Sequence, residues 1–307
     1  ALLAFPTPGG DAVELPSPTL DASSGEDVRR LADPANEEPL RMEDPGWIRI
    51  RYDEAVTVRS LTVRPHGNNY QALRLTLEAS DDGEEFRVVR RLTAPRHGWM
   101  AEGIPVTYAL PPTTARCFRL VFDPEGSEPG AEDLDWAKWK PVLKLRSLEL
   151  SAASRIEGFE GKSGRTWRIS PATPPDSCEG QAIDPDRILD LGNTLAADGS
   201  LARDLPAGDW TVLRIGHTST GTTNYLGAAA MGLEVDKLNA GAVELQFDRW
   251  FGEARRQLGP ELSRRVLKVF HTDSWECGSQ NWTPGFAEEF RSRRGYALTP
   301  WLPALAG

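Results

Sequence analysis

The sequence has few cysteines and no long apolar run. Its three cysteines, Cys117, Cys178 and Cys277, are too few and too scattered for a disulfide framework or a zinc site, and they do not fix the redox compartment. No apolar stretch approaches the ~20 residues that a membrane-spanning helix needs, so membrane insertion is not expected. The opening apolar run, 1–5, follows no basic segment and stops at Pro6. It is too short for a signal peptide and predicts a strand cut from something longer.

An excess of positive charge is also missing. The chain carries 35 Lys and Arg against 45 Asp and Glu, a formal net charge of −10. A surface of this sign repels phosphate backbones, so neither nucleic acid nor an anionic membrane is expected as a partner. The run GHTSTGTTN, residues 216–224, has glycines but lacks the Gly-Lys-Ser/Thr of a phosphate loop, which argues against a nucleotide site.

The length and the turn-forming residues indicate a globular chain of about two domains. There are 307 residues with 24 prolines and 28 glycines, and domains typically have ~150 residues. Residues 1–46 are predicted to be a barrel strand followed by a connecting segment, because 6–46 is rich in Pro, Asp, Glu and Ser and has no sustained apolar period.

Residues 47–152 show the alternation of half-buried strands. Ile48, Ile50 and Tyr52 alternate with Arg49 and Arg51, a period of two. Similar short runs recur up to residue 150, and an Asp-Asp-Gly-Glu turn at 81–84 has hairpin chemistry. Six or more short strands without a convincing helix predict an antiparallel β-sandwich. The stretches LEASDDGEEFRVV and ARCFRLVF also resemble the galactose-binding-like, or discoidin-like, sandwich family.

Residues 153–307 change to a strand–helix rhythm. Strands are predicted at 210–215 and 266–270, the second as a continuous apolar run covered on both faces. A helix is predicted from 241 to Gly259-Pro260, and another from Thr283 as N-cap to Gly295 as C-terminal cap. This order predicts a parallel α/β sheet, either part of a (β/α)8 barrel or an open sheet. In the first helix, Trp250 and Phe251 have the spacing of core residues.

The sharpest chemical feature is HTDSWE, residues 271–276, directly after the predicted strand 266–270. Loops at the carboxyl ends of parallel strands hold the catalytic groups of α/β barrels and open sheets. An aromatic ring beside carboxylates suits a carbohydrate, because Trp275 can stack on a sugar face while Asp273 and Glu276 protonate or activate. The preceding strand ends at His217, and its loop carries Glu234 and Asp236, so these side chains and His271 are expected to converge on one mouth.

Each of these residues also has a plainer interpretation. His217 is compatible with a hydrogen-bonded structural histidine, and Glu234 and Asp236 with a solvated loop face. The His-x-Asp-x-x-Glu pattern at 271–276 matches no established zinc site. Calcium binding by some of these carboxylates stays open.

Five blocks of sequence together carry a family resemblance. They are WTVLRIGHTSTGTTN, GLEVDKLN, AVELQFDRWFG, VFHTDSWECGSQNWTP and FRSRRGYALTPWLP. With them the chain resembles glycoside hydrolase family 106, the α-L-rhamnosidases, most densely over 185–307. The sandwich is similar to the β-sandwich that interrupts the barrel in that family.

The resemblance implies an inverting hydrolase with a (β/α)8 catalytic domain that acts on α-linked L-rhamnose in plant polysaccharides or glycosides. It implies a calcium ion near the active site, without identifying ligands, and secretion or a periplasmic location. Glu276 matches the family's general acid and Asp273 a second residue needed for activity. The family's general base lies downstream of this chain. Because a barrel takes ~250 residues and about 155 follow the sandwich, the chain is expected to be an incomplete portion of a larger enzyme, inactive alone.

Two alternatives to the rhamnosidase remain at the level of sequence. One is a non-catalytic carbohydrate-binding module, with the sandwich binding sugar and the barrel portion acting as a scaffold. The other is a hydrolase of a different sugar, which the position of Glu276 after a strand does not exclude.

Overall fold

A computed structural model describes residues 1–9, 13–67, 75–93, 103–124, 142–166, 181–223, 232–273 and 277–307. The chain forms two compact units, one of 1–215 with 299–307 and one of 216–298. Within these described ranges, no helix is long and apolar enough to cross a membrane.

The described residues form strands of 2 to 20 residues in the first unit and helices mainly in the second. The strands are β1 (Leu2–Pro6), β2 (Thr19–Ala22), β3 (Leu40–Met42), β4 (Gly46–Pro65), β5 (Leu75–Ser80), β6 (Arg87–Arg91), β7 (Val106–Phe122), β8 (Leu143–Ser151), β9 (Leu189–Asp190) and β10 (Trp210–Arg214). The helices are α1 (Phe159–Lys162), α2 (Ala240–Phe247), α3 (Glu253–Val266) and α4 (Phe286–Arg294). Short 3-10 helices lie at Arg29–Ala32, Pro185–Arg187 and Thr299–Leu305, and a π-helical turn at Asp248–Gly252 joins α2 to α3.

Seven antiparallel strands form the larger sheet. Their order is β3-β8-β4-β7-β5-β6, with β2 paired to β4. The alternation predicted for β4 is confirmed, since Ile48 and Ile50 are buried and lie opposite Leu120 and Phe118 of β7. The inward-facing side chains of the seven strands belong to one continuous apolar core. Burying an aliphatic or aromatic side chain of this size contributes ~1.5–3 kcal/mol, so this core dominates the stability of the first unit.

The division of this region into a two-sheet sandwich stays a prediction, but the larger sheet includes residues that the sequence assigns to a connecting segment. β2 pairs with β4, β3 pairs with β8, and Leu20, Leu31 and Leu40 are buried in the same core. Strands of three or four residues offer only one or two inward positions, which is too few for a period to stand out among prolines and acidic residues.

The smaller sheet has the order β10-β1-β9, and both pairings are antiparallel. The strand predicted at the N-terminus is therefore confirmed as β1, but its neighbours do not run parallel to it. Parallel pairing is absent from the strands that the structure describes, and the barrel stays a prediction. The predicted strand at 266–270 is also not formed, since α3 extends to Val266 and 267–270 has no regular structure. A strand needs a neighbouring ladder for its backbone groups, and the described residues provide none there.

The helices of the second unit differ from their predictions mainly at their ends. The break at Gly259 is confirmed by its φ of 69° and ψ of 168°, although helical structure resumes beyond it. α4 ends at Gly295 as predicted, with φ 80°, but it begins at Phe286 after Gly285 instead of after Thr283. The prediction that Trp250 is a core residue is wrong for the described chain, where its side chain is 64% exposed.

Candidate active site

Asp236 connects two segments of the second unit that are distant in sequence. Its Oδ2 accepts a hydrogen bond from the Thr283 hydroxyl at 2.7 Å, and its Oδ1 accepts from the backbone N–H of Leu238 at 3.1 Å and from the Gln280 side-chain amide. The donors, above all Thr283, hold the pKa of Asp236 below its usual value. Asp236 is therefore a charged acceptor that ties the loop at 232–239 to residues 280–283.

A second set of contacts reinforces this connection. The backbone N–H of Lys237 donates to Gln280 Oε1 at 3.1 Å, so both ends of the Gln280 amide are held by the 232–239 loop. The Lys237 ammonium pairs with Glu234, whose side chain is 14% exposed. The backbone N–H of Glu234 donates to Thr222 O at 2.9 Å, which joins the loop to the segment that follows His217.

Three rings lie side by side next to these polar contacts. The His217 imidazole stacks on Trp282 with centroids 6.0 Å apart and planes 30° apart. Trp282 in turn contacts Phe286 at 5.1 Å. His217 is exposed and the other two rings are half-buried, so the row borders solvent.

The predicted site residues thus fall into three groups. His217 and Asp236 contact the segment 280–283, and Glu234 lies in the same 232–239 loop as Asp236 and pairs with Lys237. His271 and Asp273 lie in the exposed stretch after α3. Trp275 and Glu276 lie outside the described residues, so the single mouth shared by all of these side chains stays a prediction.

Sequence reasoning missed Gln280, Trp282 and Thr283. Local capping rules predict Thr283 as a helix cap, whereas its hydroxyl donates a hydrogen bond to Asp236, 47 residues away. The sequence does offer one signal for these three residues, their proximity to the predicted acid. The run Gln-Asn-Trp-Thr begins four residues after Glu276 and combines amide, aromatic and hydroxyl groups.

No metal centre is assigned to this chain. Among the residues with a described placement, no group of three or more His, Cys, Asp or Glu side chains could hold an ion.

Comparison with known proteins places the chain in a family. The family profile whose description is alpha-L-rhamnosidase matches residues 2–307. The chain belongs to glycoside hydrolase family 106. This family 106 chain is also similar throughout its length to a solved structure, the rhamnosidase from Novosphingobium sp. PP1Y, with 32% identity and a TM-score of 0.74. The similarity covers 100% of this chain and 28% of that one.

A curated relative has a different name. The Formosa agariphila protein named "Putative beta-glucuronidase" is 38% identical over 176 residues, which is 57% of this chain and 14% of that protein. The family 106 chain therefore spans a small part of the length of each of these two relatives. Its rings, amide and hydroxyl groups near 280–283 are of the types that line small-molecule sites, where apolar walls combine with a few placed polar groups.

Proposed function

We propose that this chain is part of the catalytic region of a glycoside hydrolase that removes terminal α-L-rhamnosyl residues from plant polysaccharides or glycosides. The observation that carries the proposal is the family 106 match over 2–307, with similarity along the whole chain to a rhamnosidase. The proposal includes the (β/α)8 barrel, in which the second unit contributes loops at one mouth.

Glu276 acts as the general acid and donates its proton to the oxygen of the leaving group. A general acid has to stay protonated near neutral pH, and an apolar environment favours the protonated form of a carboxyl group. A base supplied by residues outside this chain activates water on the opposite sugar face. In this inverting mechanism the two carboxyl groups lie ~6.5–9.5 Å apart, which leaves room for the water. Asp273, three residues before the acid, is the second residue that this activity needs.

The family resemblance adds two further expectations to the proposal. One is a calcium ion near the active site, for which we assign no ligand and derive no step. The other is secretion or a periplasmic location, which suits an enzyme whose substrates are plant polysaccharides.

The test uses the full-length protein and the substitution Glu276→Gln. We expect hydrolysis of a natural rhamnoside, whose leaving group needs protonation, to fall by ~10²–10⁴-fold, because the amide cannot act as an acid. Hydrolysis of an activated aryl α-L-rhamnoside should fall much less. Glu288→Gln on the exposed face of α4 is the control and should keep the wild-type rate. Wild-type turnover of the natural substrate by Glu276→Gln would contradict the assignment of the acid.

Two further measurements address stereochemistry and sugar. Proton NMR of the first product should show β-rhamnose, since inversion converts an α-linkage to a β-anomer.

The name of the Formosa relative supports a second candidate, a hydrolase of a glucuronide. Assays with matched aryl α-L-rhamnoside and β-D-glucuronide decide between them, and we expect turnover of the rhamnoside alone.

A further inference from the structure

The segment that carries Trp282 is fixed from both sides by one carboxylate. Gln280 and Thr283 both donate to Asp236, and the Gln280 amide also donates to the Trp282 carbonyl at 3.4 Å. Thr283 is 7% exposed and Asp236 is half-buried, so the hydroxyl bond between them is partly shielded from water. Charge-assisted hydrogen bonds are stronger than neutral ones, and a pair of them that flanks one residue sets the direction of its backbone.

The position of the Trp282 ring is not explained by core packing. It lies between exposed His217 and half-buried Phe286, at the border of solvent. The hydrogen bonds to Asp236 fix the backbone on both sides of this indole. An indole fixed in this way has little conformational entropy left to lose when a ligand stacks on it.

Sequence separation limits the distance between this ring and the proposed acid. Five residues lie between Glu276 and Trp282, and six residue steps of extended chain span at most ~20 Å. His217 stacks on the ring, and Asp236 accepts hydrogen bonds from the residues on either side of it, Gln280 and Thr283.

We propose that Trp282, with His217 stacked on it, forms an aromatic wall that contacts the apolar face of the sugar, and that Asp236 is the positioning residue that holds this wall. The proposal rests on the glycosidase function proposed above and names a substrate contact for it. Asp236 is assigned to positioning because three donors of the protein already occupy most of the acceptor sites of its carboxylate.

The first test compares two substitutions of Trp282 in the full-length protein. Trp282→Phe keeps a ring, whereas Trp282→Leu keeps apolar volume without one. We expect KM for an aryl α-L-rhamnoside, and Kd for rhamnose by calorimetry, to rise about tenfold in Trp282→Leu and less than threefold in Trp282→Phe, with kcat changed less than threefold in both. Retained kcat shows that both variants fold.

The second test addresses the positioning role through Thr283. Thr283→Val is isosteric but lacks the hydroxyl donor to Asp236, whereas Thr283→Ser keeps it. We expect KM to rise ~3–10-fold in the valine variant, with kcat unchanged, and to remain at the wild-type value in the serine variant. Equal KM values in the two variants would overturn the role of Asp236.

The two proposals fail in different ways. A wild-type protein that hydrolyses no α-L-rhamnoside refutes the proposed function, and with it the sugar contact. A wild-type protein with rhamnosidase turnover whose KM and Kd are unchanged in Trp282→Leu refutes the aromatic wall alone.

Discussion

Two buried glutamates, Glu157 and Glu160, lie in the segment that follows β8. Glu157 accepts two hydrogen bonds from the Arg90 guanidinium, at 2.7 and 2.8 Å, and one from the Ala109 backbone N–H at 2.7 Å. Three residues later Glu160 accepts from the hydroxyl and backbone N–H of Thr107, and burial raises its pKa. The two carboxylates therefore fasten the chain after β8 to alternate residues of β7.

The Arg90–Glu157 pair gives the first prediction at this scale. Its side chains are 17% and 5% exposed, so Arg90→Met leaves a buried carboxylate without its counter-charge. We expect a loss of ~3–5 kcal/mol in the free energy of unfolding of the first unit, measured by urea denaturation with far-UV circular dichroism. The control Arg293→Met breaks the exposed pair with Glu289 and should cost at most ~0.5 kcal/mol. Similar losses in the two variants would show that burial does not govern the strength of the pair.

At the scale of elements, a glycine sets the shape of the longest helix. Gly259 interrupts α3 with φ 69° and ψ 168°, a conformation essentially restricted to glycine. Pro260 follows it and cannot donate the backbone hydrogen bond that a continuous helix would need there. The two residues together divide α3 into two segments.

Replacing Gly259 by Ala tests this break. No atom lies within 4 Å of the position where a Cβ would be added, so backbone strain alone opposes the substitution. We expect the second unit to lose ~1–3 kcal/mol in its free energy of unfolding, followed by circular dichroism at 222 nm. Gly216→Ala also adds a Cβ into open space, without a positive φ, and should change stability by less than ~1 kcal/mol. Unchanged stability of Gly259→Ala would mean that α3 adjusts without strain.

Elements with local signals could be predicted, and those that depend on distant partners could not. Ile48 and Ile50 indicate β4 through their own period, and Gly295 indicates the end of α4. The apolar run 266–270 resembles a strand, but a strand also needs a neighbour, and the described chain supplies none there. The candidate site behaves in the same way: the positions of His217 and Asp236 after a strand are visible in the sequence, whereas the bond between Asp236 and Thr283 is a contact across 47 residues.

At the scale of the whole molecule, the two units differ in how they bury apolar side chains. The first contains the core of the seven-stranded sheet, with residues such as Phe118 and Phe122 fully buried. In the described part of 216–298 only Ser263 and Thr283 are buried. The second unit contains an aromatic cluster of Phe247, Trp250, Phe251 and Phe270. The ring centroid of Phe247 lies 5.2 Å from that of Phe251, in the π-helical turn, and 5.4 Å from that of Phe270.

Limited proteolysis of the isolated chain tests this difference. Protease sites are cut when the local structure opens, and a segment with few buried apolar side chains opens at little cost in free energy. We expect chymotrypsin to cleave first within 216–298, at residues such as exposed Trp250, while a fragment that contains the seven-stranded sheet persists. Mass spectrometry of the time course identifies both products. Equal protection of 216–298 and the seven-stranded sheet would show that the second unit is as stable as the first. Rhamnosidase turnover by the isolated chain would show that it is active by itself.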